Sequence, residues 1–195
     1  MASQIKVNEI IKQSGSSITI GESGDTITLG AALPVGSGGT GSTTLASAGL
    51  ANTSAFMARL SSNQSVSSGS FTKIVFNAED FDTDSNFDTS NGRFTPTTAG
   101  KYWCYTSLAV DAVNSGNNIY SAIYFNGSHA NGHSALGFCA SNGGTTTSSI
   151  GATFTFNGSS DYIEVYGLHN YGSSRNFIGN STTECVFTAY RLIGV

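Results

Sequence analysis

The feature that most constrains this chain is its punctuation. From about residue 55 onward, short segments rich in Phe, Tyr, Val, Ile and Thr are cut at near-regular intervals by turn dipeptides. These are Asn91-Gly92, Ala99-Gly100, Asn126-Gly127, Asn142-Gly143 and Asn157-Gly158. Asn-Gly supplies the two positive-φ residues that a two-residue hairpin demands. The residues that build long helices are scarce: only 10% of the chain is charged, against the usual quarter. The pattern predicts strands over 55–61, 71–76, 101–110, 118–126, 133–140, 148–157, 161–169 and 184–194. Eight short strands at such spacing predict an all-β sandwich, jelly roll or barrel.

The first 50 residues have a different texture. Ser17–Gly21 (SITIG) recurs as Thr26–Gly30 (TITLG), with Ile18 matching Ile27 and Ile20 matching Leu29. Each copy alternates apolar and hydroxyl residues, the period of a half-buried strand, and ESGD between them is a turn. An isolated hairpin is marginal in water. The stripe Ile18, Ile20, Ile27 and Leu29 therefore needs a cover, and further copies of the same chain are the economical choice.

Between stem and strands lies PVGSGGTGSTTLASAGL. Gly36 and Gly41 have the spacing of a nucleotide-binding loop, but Ser42 stands where the phosphate-binding Lys must be. Pro34 also spoils the buried strand such a loop follows. The segment reads as a joint, whose glycines let three chains pack closely at an axis where a Cβ would clash. The predicted division is an N-terminal attachment stem over residues 1–50 and a β head over residues 51–195.

Composition narrows function. The net charge of −4 and the lack of a basic cluster argue against nucleic acid as a partner. No apolar run is long enough to span a bilayer as a helix, so no membrane insertion is expected. The N-terminus, MASQIKVNEIIKQ, lacks the apolar core of a secretory signal, which predicts assembly in a cytoplasm. Cys104, Cys139 and Cys185 sit in apolar, strand-like settings without a CxxC pair, and so predict free buried thiols.

Particular residues then carry a resemblance. The early Ala55-Phe56 pair, the run Asn91-Gly92-Arg93-Phe94 with Pro96, Gly100 and Tyr102, and the C-terminal strand VFTAYRLIGV together resemble the C1q/TNF-like jelly roll over about residues 55–195. One departure is Phe187-Thr188-Ala189-Tyr190, where members of that family often show Phe-Ser-Gly-Phe. The N-terminal segments VNEIIKQSGSSITIGESGDTITL and PVGSGGTGSTTLASAGLA are similar to stems of bacteriophage tail fibres. The two resemblances imply a homotrimeric virion fibre, assembled in the host cytoplasm. Its stem would hold other virion proteins, and its jelly-roll head would meet a host-surface glycan or protein. Alternatives of other classes are a free C1q-like carbohydrate- or protein-binding module, a capsid- or neck-attached decoration fibre with no receptor role, and a polysaccharide-cleaving enzyme. No acid pair or nucleophile constellation supports the enzyme, so none is expected.

Candidate sites follow. Loops carry binding on a rigid scaffold. The segment at 169–176 gathers His169, Asn170, Tyr171, Arg175 and Asn176, which offer stacking and hydrogen bonds to a neutral glycan. The segment at 126–133 offers His129, Asn131 and His133, and the two histidines could also pair on a metal. Tyr120, Tyr124 and Tyr166 would stack on sugars if they face outward. Asp80, Asp82, Asp84 and Asp88 alternate through EDFDTDSNFD, a pattern that suits calcium. It is not an EF-hand: counted from Asp80, the sixth and twelfth places hold Ser85 and Asn91 rather than Gly and Glu. No other cofactor is expected.

Overall fold

The computed structural model describes residues 54–180 and 185–193. The proposed stem contacts Ile18, Ile20, Ile27 and Leu29, and the Gly-rich joint, lie outside them. Among the described residues every regular element is a strand. The first six are short: β1 (Ala55–Arg59), β2 (Gln64–Val66), β3 (Thr72–Lys73), β4 (Ala78–Asp82), β5 (Phe87–Asp88) and β6 (Arg93–Phe94). The long ones follow: β7 (Gly100–Val113), β8 (Asn118–Phe125), β9 (Ser128–Phe138), β10 (Gly144–Phe156) and β11 (Ile163–His169). The chain closes with β12 (Arg175–Phe177) and β13 (Val186–Arg191).

They form two antiparallel sheets. In the first, β7 pairs with β10 along one edge and with β13 and β12 along the other; β13 continues to β1 and β4, and β12 to β2. The second runs β5-β6-β11-β8-β9, with β3 also on β11. The last strand thus pairs with the first, Ala55 opposite Tyr190. The core lies between the sheets. Phe56 of the first sheet stacks on Phe87 and Phe94 of the second, with ring centroids 4.6 and 4.5 Å apart, and meets Phe187 edge-on. Tyr102 stands edge-on to Phe156, and its hydroxyl donates to the Thr98 carbonyl at 2.8 Å. Period-2 alternation places Tyr102, Cys104, Thr106 and Leu108 inward on β7, and Trp103 and Tyr105 outward. All three cysteines are buried, and Cys104 and Cys139 are free thiols, as expected.

Sequence periodicity located the long strands and missed five short ones, β2, β4, β5, β6 and β12. These carry two to five residues each, too few to show a period. The largest correction concerns the segment at 126–133. Only Asn126 and Gly127, both at positive φ (51° and 74°), form its turn. From Ser128 onward the chain is strand. Its Gly, Asn, Ser and His residues have poor strand propensity, and the ladder with β8 overrides it.

Candidate functional site

The side chains of the segment at 169–176 are bonded to neighbouring parts of the chain. His169 is fully buried. Its Nε2 lies 3.0 Å from the Val66 carbonyl and its Nδ1 accepts the Tyr171 amide. Asn170 Oδ1 accepts from the Asn118 amide at 2.7 Å and from Asn117 Nδ2 at 3.2 Å. Asn176 bonds both oxygens of Asp111 through its amide and side chain. Arg175 lies 3.3 Å above the Tyr171 ring, and its Nε donates to the Ala112 carbonyl. Ala112 is held at φ 48°, in the irregular stretch where β7 and β10 slip register. A left-handed alanine costs about 1–2 kcal/mol, and the Arg175 bond helps hold it. The groups that suggested a ligand are thus engaged with the protein itself.

The acidic run is similarly dispersed. Asp80 pairs with Arg59 at 2.9 Å. Asp82 accepts the amides of Asp84 and Phe87, Asp84 accepts the Ser54 hydroxyl, and Asp88 accepts the amide and hydroxyl of Ser90. The Ser90 hydroxyl and amide hold the Asp88 carboxyl below its ordinary range. Among the described residues no three His, Cys, Asp or Glu side chains converge as a metal site. The histidine pair is also separated. His129 stacks on Tyr124, whereas His133 meets the buried core ring of Phe154 edge-on. Asn131, between them, is exposed.

The residues that do gather lie on the outer face of the second sheet. On β8, Ile119, Ser121 and Ile123 point into the core, so Tyr120, Ala122 and Tyr124 point out. On β11 the same alternation sends Glu164, Tyr166 and Leu168 outward. Tyr124 stacks on Tyr166 with ring centroids 3.9 Å apart and on His129 at 5.0 Å, which makes a three-ring row across β11, β8 and β9. Phe71, just ahead of β3, packs against Tyr120, Tyr124 and His129. Ala122 has no exposed surface beneath these outward neighbours.

Beside this row sits a compact charged group. Glu164 is only 3% exposed. Its Oε1 accepts from Lys73 Nζ at 2.6 Å and from Arg93 Nε at 2.8 Å. The strand register delivers them: β11 pairs Glu164 with Arg93 and Tyr166 with Lys73. Burial pushes the Glu164 carboxyl upward, but the hydrogen bonds and charges of Lys73 and Arg93 outweigh it and hold the carboxyl below its ordinary range. Arg93 also lies 3.8 Å over the Tyr162 ring. Among the described residues Glu164 Oε2 receives only the Tyr166 hydroxyl, at 3.4 Å. Burial, and after it the Glu164 carboxylate, raises the Tyr166 hydroxyl pKa; burial alone raises that of Tyr124. Both therefore remain neutral donors. The tyrosines of this face were legible in the sequence, whereas Phe71, Lys73, Arg93 and Tyr162 were not. Alternation marks Glu164 and Tyr166 as facing one way, but only cross-strand pairing supplies their partners.

The first sheet has an outward aromatic face of its own. Register lays Trp103, Tyr190 and Ala55 in one cross-strand row, and Tyr105, Thr188, Met57 and Phe81 in the next. Trp103, Tyr190 and Phe81 are 37%, 43% and 47% exposed.

No protein-family model and no curated protein matches the sequence. The fold does have solved counterparts. Eiger TNF from S. frugiperda superposes with a TM-score of 0.56 at 10% identity, covering 74% of this chain and 96% of that one. Murine APRIL at pH 5.0 superposes with a TM-score of 0.53, also at 10% identity, covering 71% and 98%. The globular domain of zebrafish complement 1qA is similar at 17% identity, covering 71% and 97%, with a TM-score of 0.48. The likeness is one of fold alone: an all-β jelly roll of two antiparallel sheets, like those of Eiger TNF and APRIL.

Proposed function

We propose that the protein is the homotrimeric fibre of a phage virion, with residues 1–50 as its attachment stem and the jelly roll as a non-enzymatic head that contacts the host surface. The observation that carries this reading is the presence of two aromatic faces on opposite sides of one sandwich. Three exposed large apolar side chains on one sheet are costly in water. Each aromatic residue buries about 150–250 Å² when covered, so Trp103, Tyr190 and Phe81 favour packing against neighbouring copies. The second face then remains outward for a partner on the host. The stem's apolar stripe and its likeness to fibre stems favour a virion over a free module.

Light scattering of the full-length chain tests the trimer. The expected mass is three times 20.1 kDa; a monomer at micromolar concentration refutes it. Trp103→Ala with Tyr190→Ala should shift the equilibrium towards monomer while the far-ultraviolet spectrum stays that of a β protein. Electron microscopy of particles carrying a labelled copy tests the virion assignment. Absence of label from the particle overturns that part of the reading, whatever the oligomeric state.

A further inference from the structure

We infer that the outer face of the second sheet holds a binding site for a neutral pyranose glycan, in which Tyr166 provides the stacking surface and Lys73, Glu164 and Arg93 the hydrogen bonds. The inference rests on the reading of the head as an adhesive module and names the chemistry of its contact.

The geometry gives this site two complementary halves. In the row Tyr166–Tyr124–His129 the middle ring is covered on both sides. One face of Tyr166 lies against Tyr124. Its other face therefore turns across β11 towards β3 and β6, where Lys73 and Arg93 meet Glu164. A pyranose is two-sided in the same way, with a face of C–H groups and a rim of hydroxyls. The C–H face suits an aromatic ring, and the rim needs donors and acceptors fixed next to that ring.

The polar half is built and incompletely used. Oε1 of Glu164 already holds both cations, whereas Oε2 has one long contact from the Tyr166 hydroxyl. A buried carboxylate oxygen ordinarily takes short, charge-assisted bonds, so a sugar hydroxyl reaching Oε2 would complete it. Lys73 Nζ has two further N–H groups, and the Lys73 side chain is a quarter exposed. These groups are held in place from more than one direction: Arg93 is fixed by Glu164 and by the Tyr162 ring, and Tyr166 by Tyr124. Such preorganisation lowers the ordering cost of binding.

Charge sets the ligand class. Lys73 and Arg93 are matched by Glu164 and by Asp88, which pairs with Arg93 in the ladder. The patch is neutral in a chain of net charge −4, so it gives no advantage to a sulfated or sialylated glycan.

The test uses the full-length protein on a printed array of neutral and acidic glycans of defined structure, followed by saturation-transfer NMR with a neutral hit. The expected result is binding confined to neutral glycans, with saturation strongest on the C–H protons of one sugar face. Tyr166→Ala and Lys73→Met should each weaken it about five- to tenfold, the scale of one aromatic or hydrogen-bond contact. Tyr166→Phe, which keeps the ring, should lose less than Tyr166→Ala. Thr155→Ala, exposed on β10 of the first sheet, should bind normally and serves as the folded control. Binding only to acidic glycans, or undiminished binding by Tyr166→Ala and Lys73→Met, overturns the inference. Binding to no glycan also overturns it. If particles then still adsorb to host cells through the head, the adhesive reading stands with a protein partner. If adsorption proceeds without the head, that reading fails by itself.

Discussion

Replacing Glu164 by Gln preserves shape and removes one buried charge. Hydrogen bonds to a charged group contribute about 1.5–3 kcal/mol net, and those between neutral groups about 0.5–1.5. Glu164 holds two such bonds on Oε1, from Lys73 and Arg93. Each should weaken by about 1 kcal/mol in Glu164→Gln, for a total near 2 kcal/mol. The donors limit the loss, because the side chains of Lys73 and Arg93 are 25% and 37% exposed and can rehydrate. The melting temperature should fall by about 4–8 °C for a domain of this size, with protein concentration held constant because assembly also shifts melting.

The pH dependence distinguishes this cause from a packing defect. The folded carboxyl has a lowered pKa. The unfolded state therefore takes up a proton first as pH falls. The stabilisation is fully present above the ordinary glutamate range and is lost as pH falls through the folded value. Wild type and Glu164→Gln should differ at neutral pH and converge in acid. Melts in urea at neutral pH and at a series of acid pH values measure this. A loss below about 0.5 kcal/mol at neutral pH, the size of an ordinary surface change, or a difference that persists unchanged into acid would refute the reasoning.

Three further outcomes are expected. A Cβ at Gly167 would lie 2.5 Å from Phe177 Cζ and 3.2 Å from Ile74 Cδ1; Gly167→Ala should destabilise by about 1–3 kcal/mol through overpacking, read by chemical denaturation. Because the carboxylates of Asp80, Asp82, Asp84 and Asp88 are engaged with separate partners, millimolar calcium and a chelator should leave the melting temperature alike; a calcium-dependent rise would instead give that run a metal role. Burial drives the Cys104 thiol well above its ordinary pKa, so alkylation of the native protein should spare Cys104 and proceed after unfolding, as peptide mapping would show.

What the sequence determined by itself is local. Asn126-Gly127 needs positive φ at two successive residues, which its own composition predicts. Strict alternation in KYWCYTSL commits Tyr102 and Cys104 to one face and Trp103 and Tyr105 to the other, whatever strand lies alongside. The same logic turns Tyr120 and Tyr124 together and Glu164 and Tyr166 together. Tertiary structure decided everything that depends on pairing. Lys73 and Arg93 lie 91 and 71 residues from Glu164 in the chain, and only the register of β3 and β6 on β11 brings them to one oxygen. His129 and His133 share a short segment, yet one stacks in the outer tyrosine row and the other, itself exposed, meets the Phe154 ring edge-on. His169, where the predicted strand 161–169 meets the candidate loop, ends β11 and is buried, bonded to Val66 and Tyr171 rather than open to a ligand. The reason is that propensity and alternation act over a few residues, whereas the bonds that define a site close loops of 70 residues or more. A slip of one residue in register would turn the outward rings inward and leave Glu164 without its cations.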